Sequence, residues 1–146
     1  MGEESISVLG AEECWQLLHG QEFGRLAFHL GGEVHITPVN YAVDPTGADE
    51  PTLLFRTSPG SKLLGVVLNP DVAFEIDAFD EDHATSVVVR GVARRLEEDE
   101  EHRAENLPLR PWVPTLKYDV VEIRPTEISG RSFELSRPWL HMMPEG

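Results

Sequence analysis

From residue 23 to residue 135 the chain is a series of short runs rich in Val, Ile, Phe and Thr, each cut off by Gly, Pro, Asn or Asp. The sharpest break is Gly31-Gly32, set between the runs Phe23–Leu30 and Glu33–Val43. Two glycines between two strand-like runs predict a tight hairpin, because both central residues of such a turn need φ > 0. A chain punctuated in this way is built for antiparallel pairing. At 146 residues, one domain over 1–146 is expected.

Taken in order, the runs predict about six strands. Phe23, Leu26, Phe28 and Leu30 are the expected inner residues of the first. The return strand sets Val34, Ile36 and Pro38 against His35, Thr37 and Val39, and Pro38 belongs on an edge or at a bulge. After a loop over 44–52, Leu53 begins a short apolar strand. Val72–Phe79 places Val72, Phe74, Ile76 and Ala78 on one face. Thr85–Leu96 is the most β-branched run and reads as a central strand, with Gly91 marking a bulge or a close backbone approach. Lys117–Ile128 is a further strand, and Gly130–Leu135 a last one.

Helical periodicity is confined to Ala11–His19, with Cys14, Trp15, Leu17 and Leu18 as its stripe, and to a segment that starts at Ser61 and ends at Asn69-Pro70. Gly65 should weaken that segment by ~1 kcal/mol relative to alanine. Glu97–Asn106 reads as a surface helix with a solvated acidic face. The fold class is mainly β (α+β): a six-stranded antiparallel barrel with short flanking helices.

Charge narrows the functions open to this chain. A formal net charge of -14 and a pI near 4.7 argue against nucleic acid as a partner. There is no apolar run long enough to cross a bilayer and no charged-then-apolar leader, so neither a membrane nor export is expected and a cytoplasmic setting is. Cys14 is the single cysteine and reads as a small core residue. His19, His29, His35, His83, His102 and His141 lack metal-ligand spacing, and no metal is expected.

Against this acidic background, residues 51–70 contain no Asp or Glu, and their only charges are Arg56 and Lys62. Both lie in Leu53-Leu54-Phe55-Arg56-Thr57-Ser58-Pro59-Gly60-Ser61-Lys62-Leu63-Leu64, which reads as strand, turn and helix start. Hydroxyls, two cations and the free N–H groups of a helix N-terminus make an anion site, with phosphate as its guest. The plainer alternative is two ordinary surface cations beside a buried strand and helix.

Pro38-Val39-Asn40-Tyr41, Phe55-Arg56-Thr57-x-x-Gly60-Ser61-Lys62 and Ser86-Val87-Val88-Val89-Arg90-Gly91 follow one another here. Gly24-Arg25-Leu26-Ala27 precedes them and Ile128-Ser129-Gly130-Arg131 follows. In this order and spacing the chain resembles the pyridoxamine-5'-phosphate-oxidase-like family of FMN-binding split barrels, in particular its small actinobacterial-type members. The resemblance implies a homodimer with FMN sites at the subunit interface. Arg56, Thr57, Ser61 and Lys62 match the family's phosphate grip. Pro38, Val39, Asn40, Tyr41 and Phe55 match the strands along the isoalloxazine ring, where backbone N–H groups near Asn40 and Thr57 would meet ring heteroatoms. Ser86 and Val87 match a strand that approaches the flavin, and Trp112 is expected from the other subunit.

The family's true oxidases carry a C-terminal arginine-and-histidine motif, which the stretch from Gly130 to Arg137 lacks. The expected activity is therefore an FMN-dependent oxidoreduction of a small organic substrate other than the vitamin. A flavin-sequestering protein without turnover, and relatives that bind a deazaflavin or haem-related ligands, are the alternatives. No catalytic residue is singled out, and His35 is the one histidine close to the expected ligand strand.

Overall fold

The computed structural model describes residues 6–46, 49–58, 60–105, 107–109 and 118–135. The elements are β1 (Ile6–Leu9), α1 (Ala11–His19), β2 (Phe23–Leu30), β3 (Glu33–Asp44), β4 (Thr52–Thr57), α2 (Ser61–Leu68), β5 (Asp71–Phe79), β6 (His83–Arg95), a 3-10 helix (Glu98–Ala104) and β7 (Asp119–Glu134). The sheet runs β1-β7-β4-β3-β2-β5-β6, and β6 returns to pair with β7. Six antiparallel strands thus close into a split barrel, and β1 adds a seventh along the far end of β7. The two runs read separately in the sequence as strands on either side of Ser129 are joined, over Asp119–Glu134, into the single long strand β7.

Local signals account for much of this. Gly31 and Gly32 both have positive φ, 61° and 80°, and close the β2–β3 hairpin with Leu30 opposite Glu33. Pro38 lies in the half of β3 that pairs with β2 alone, since β4 takes up pairing only from Tyr41 onward. A missing N–H costs little there. At Gly91 the β6–β7 register shifts, and an added Cβ would lie 2.5 Å from the carbonyl oxygen of Arg124. Both the bulge and the close approach occur.

The barrel interior is filled by alternate residues of every strand: Leu26 and Phe28 from β2, Val39, Tyr41 and Val43 from β3, Phe55 from β4, Val72, Phe74 and Ile76 from β5, Val87 and Val89 from β6, and Val121 and Ile123 from β7. Cys14 and Leu18 of α1 and Val66 of α2 complete it. One side-chain assignment changes, and one alternation left open is decided. Phe23 is 46% exposed, because the pleat puts residues 24, 26 and 28 inside and 23 on the opposite face. In β3 the inner set is His35, Thr37 and Val39, which leaves Val34 and Ile36 outside at 72% and 68% exposure.

A second apolar cluster lies on the outer face of the barrel. Ala42, Leu54, Leu96, Ala104, Leu109 and Val120 pack there, and the 3-10 helix supplies part of the cover. The acidic segment is a 3-10 helix that keeps Glu97, Glu98 and Asp99 exposed while its far end docks on the barrel. Glu97 and Glu100 cap its start reciprocally, and Ala104 at its end is buried.

α2 packs on β2 through Gly65. A Cβ there would come within 2.6 Å of the Phe28 ring and 2.9 Å of the His29 carbonyl oxygen. The ordinary helix-propensity gain of alanine is thus overturned by contact. Gly65→Ala is expected to destabilise the fold by about 1–3 kcal/mol, the usual cost of overpacking, in urea unfolding; a stabilised variant would refute the close packing.

Candidate functional site

The structure places the expected site residues in two groups. The first surrounds the β4–α2 junction. Phe55 is fully buried and opposite Tyr41. Arg56, the next residue, points to the outer face beside Val120 of β7. Arg56 is half-buried, and Nη2 donates to the carbonyl oxygen of Ala104 at 3.4 Å. Thr57 is buried, and Oγ1 donates to the Ser58 carbonyl oxygen at 3.1 Å. α2 then starts after an extended Gly60 with no side-chain cap and no acid in its first turn. Its first N–H groups and its dipole face outward, a favourable place for an anion.

Lys62 is half-buried in that first turn, and burial alone pushes its ammonium below the ordinary pKa. Among the described residues, Arg25, Arg90, Arg94, Arg95, Arg103 and Arg124 each meet a carboxylate within 4.0 Å. Arg56, Lys62 and the exposed Arg131 have no such partner. Arg56 and Lys62 are thus two half-buried cations with no carboxylate in range among the described residues, in a chain of net charge -14.

The strand leading to this junction is more committed to the core than its sequence suggests. Val39 is buried, and the Tyr41 phenol is inside, donating to the Leu18 carbonyl oxygen and crossing the Phe74 ring at 4.8 Å. Burial raises the phenol's pKa well above its usual value. Tyr41 is thus a core residue whose side chain is not free to stack on a ligand. Asn40 is also buried, and Nδ2 donates to the Glu22 carbonyl oxygen at 2.8 Å. Pro38 is exposed on the free half of β3. What Val39, Tyr41 and Phe55 can offer a ligand is backbone. His35 stacks on Phe28 at 5.5 Å, and the same ring fills the space beside Gly65 of α2.

The second group lies elsewhere on the chain. Ser86 pairs with Arg131 of β7, whereas Arg56 pairs with Val120. Eleven residues of β7 separate those partners, about 36 Å if fully extended. Val87 faces the core and is fully buried. Ser86 and Val87 thus pair with a stretch of β7 well removed from the partner of Arg56. Trp112 lies outside the described residues. Among the described residues no group of His, Cys, Asp and Glu forms a metal site, and no helix is long and apolar enough to cross a membrane.

A feature that the sequence left unread adjoins the junction. Arg103 of the 3-10 helix reaches three strands. Nε donates to Asp44 Oδ2 of β3 at 2.8 Å, and Nη2 donates to Thr52 Oγ1 of β4 at 3.3 Å and to Glu122 of β7. Arg94 of β6 donates to Glu122 Oε1 at 3.1 Å and holds Glu100 through both Nη atoms, at 2.9 and 2.6 Å. The Asp44 and Glu122 carboxylates are almost fully buried. Asp44, Arg94, Glu100, Arg103 and Glu122 are scattered among many other charges in the sequence, and nothing local shows that those five meet.

The network makes stability depend on acid. Burial pushes the Asp44 carboxyl up, but hydrogen bonds from Thr46 and Arg103 outweigh it and hold the pKa below its usual value. The hydrogen bonds from Arg94 hold Glu100 at about 2, against 4.5 for a free glutamate. Groups whose folded pKa is depressed stabilise above the unfolded pKa and lose that contribution as pH falls through the folded one. Unfolding midpoints should drop between about pH 4.5 and pH 2, and Glu100→Gln should flatten the drop; an unchanged profile in that variant would remove Glu100 from the account.

Comparison with known proteins bears on the same region. The family model described as Pyridoxamine 5'-phosphate oxidase matches residues 10–132. A Corynebacterium glutamicum protein provisionally assigned as a pyridoxamine 5'-phosphate oxidase is 37% identical, with a TM-score of 0.77 over 91% of this chain and 97% of that one. An FAD-binding protein from Mycobacterium smegmatis is 38% identical, with a TM-score of 0.73 over 89% of this chain and 100% of that one. An uncharacterised Mycobacterium tuberculosis protein is 43% identical over 83 residues, 56% of this chain and 76% of the relative.

Proposed function

Because this chain belongs to the pyridoxamine 5'-phosphate oxidase family, we propose that it is a flavin-binding oxidoreductase acting on a small organic substrate. The observation that carries the reading is the pair Arg56 and Lys62. Among the described residues they stand without carboxylate partners at an uncapped helix start, where a phosphate would supply the missing charge. The residues therefore fit the phosphate end of a flavin nucleotide.

FMN is the cofactor of this reading. FAD, named for the Mycobacterium smegmatis relative, and a phosphorylated deazaflavin present the same phosphate on the same kind of chain. Bound flavin supplies the electron transfer through its ring system. The protein's part is to bind and orient: Arg56 and Lys62 hold the phosphate, α2 offers its first N–H groups, and the backbone of β3 and β4 lines the ring. A cytoplasmic setting goes with this reading.

The same reading makes the active form a homodimer with a site at each end of the interface. Two observations support it. Ser86 and Arg56 pair with residues eleven positions apart on β7, so a second copy offers a more direct way to bring a Ser86 strand to the flavin. Val34, Ile36, Leu64, Val67 and Leu68 are exposed apolar side chains on β3 and α2, surface that soluble proteins usually cover.

The test is direct. Purified protein should be yellow, sediment as a dimer, and release FMN or FAD on denaturation, identified by mass. NADH, NADPH or a reduced deazaflavin should bleach the bound flavin within turnover times. A flavin that binds but resists all three donors favours the sequestering alternative. Colourless protein that takes up none of the added flavins overturns the reading.

A further inference from the structure

Arg56 leans on a segment that has no part in the phosphate grip itself. Its one described side-chain hydrogen bond is to the carbonyl oxygen of Ala104, the last residue of the 3-10 helix. The preceding residue, Arg103, pins that helix to β3, β4 and β7 through Asp44, Thr52 and Glu122. Ala104 is buried in the outer cluster together with Leu54 and Val120, the neighbours of Arg56 along and across the sheet.

A guanidinium on a long side chain has several rotamers open to it. A single carbonyl acceptor on a firmly held turn selects among them without neutralising the charge. A carboxylate in that place would compete with an incoming anion; a carbonyl does not.

We propose that Arg103 is a positioning residue for the anion site: by clamping the 3-10 helix it holds the Ala104 carbonyl where it orients Arg56 toward the phosphate of the ligand. The inference rests on the phosphate reading of Arg56 given above. It assigns a function to the acidic segment 97–104 that its charge alone would not suggest. It also explains why the clamp is ionic. Arg103 spans three strands and the turn at once, which no apolar side chain of similar size would do with the same directionality.

The test uses the full chain, with FMN and riboflavin as probes, since they differ in the phosphate. Arg103→Met alone leaves two buried carboxylates short of a partner and could unfold the chain. A charge-neutral set, Arg103→Met with Asp44→Asn and Glu122→Gln, removes the clamp without stranding a charge. Both variants are expected to weaken FMN binding about fivefold, the size of one lost hydrogen bond, and to leave riboflavin affinity unchanged. Arg103→Lys should restore part of the FMN affinity. In an Arg56→Ala background the neutral set should have no further effect on FMN, because the two residues act through one contact.

Equal losses for FMN and riboflavin, or full FMN affinity in the folded neutral set, would overturn the proposal while leaving the phosphate reading intact. If Arg56→Ala itself leaves FMN affinity unchanged, the phosphate reading falls and this proposal falls with it.

Discussion

Arg56→Ala combined with Lys62→Ala is expected to lower FMN affinity by about 100-fold or more and to leave riboflavin affinity within a few-fold of the parent. The magnitude follows from two charge-assisted contacts to one phosphate, each about 1.5–3 kcal/mol when the partner is charged. The selectivity follows from position. Arg56 is at the end of β4 and Lys62 in the first turn of α2, both beyond the buried Phe55.

The double variant should also fold normally. Neither cation neutralises a carboxylate among the described residues, so removing them strands no buried charge. For Lys62 the balance points further. Burial already pushes its pKa down, so the ligand-free protein carries the cost of a half-buried ammonium. Its removal should leave the melting temperature of the ligand-free form equal or slightly higher. Titration calorimetry with FMN and riboflavin, beside thermal unfolding, separates the outcomes. A parallel loss of both affinities would deny these residues a phosphate-specific role.

Arg103→Met is expected to cost about 3 kcal/mol or more of folding stability, the largest single-residue effect anticipated on the described surface. The reason is asymmetry. Asp44 and Glu122 stay buried and charged when Arg103 goes, and each retains only part of its hydrogen bonding: Asp44 through Thr46, Glu122 through Thr52 and Arg94. The charge-neutral set described above should recover most of the loss, because well-packed neutral groups at a buried ion-pair site are often no less stable than the ions. Urea unfolding at pH 7 reads both. If the single variant and the neutral set lose the same amount, the penalty comes from lost packing of the long Arg103 side chain and not from stranded charge.

These expectations draw on parts of the molecule that were unequally legible. The Gly31-Gly32 turn, the inner face of β5 and the bulge at Gly91 were readable because each is dictated by neighbours in sequence: positive φ, period-two alternation, an absent side chain. The strand–turn–helix at 53–64 was readable for the same reason. Its two cations and missing acids are a local pattern, and the family motifs around it are local too.

Other features were not. β1 escaped because Ile6–Leu9, though it holds Ile and Val, is only four residues long; it is held as a strand by Leu9 meeting Gly130 and Ile6 meeting Phe133 at the other end of the chain. The run Glu97–Glu101 read correctly as solvated, but the docking of its segment did not show, because the residue that ties it down, Arg103, comes after it. Gly65 read as a weak point in a helix because propensity carries no knowledge of Phe28, which closes on it from β2. In β3 both alternating sets are partly apolar, so only barrel closure could decide that Val39 and Tyr41 go inside and Val34 and Ile36 outside.

Sequence by itself therefore determined where the chain turns, which stretches are extended and where cations gather without acids, since these depend on backbone freedom and charge within a few residues. The tertiary structure alone decided which face of each strand is buried, how Arg103 gathers carboxylates from two strands and a hydroxyl from a third, and that the partners of Ser86 and Arg56 lie far apart along β7. Those outcomes depend on contacts between residues distant in sequence, and barrel closure is what brings such residues together or holds them apart.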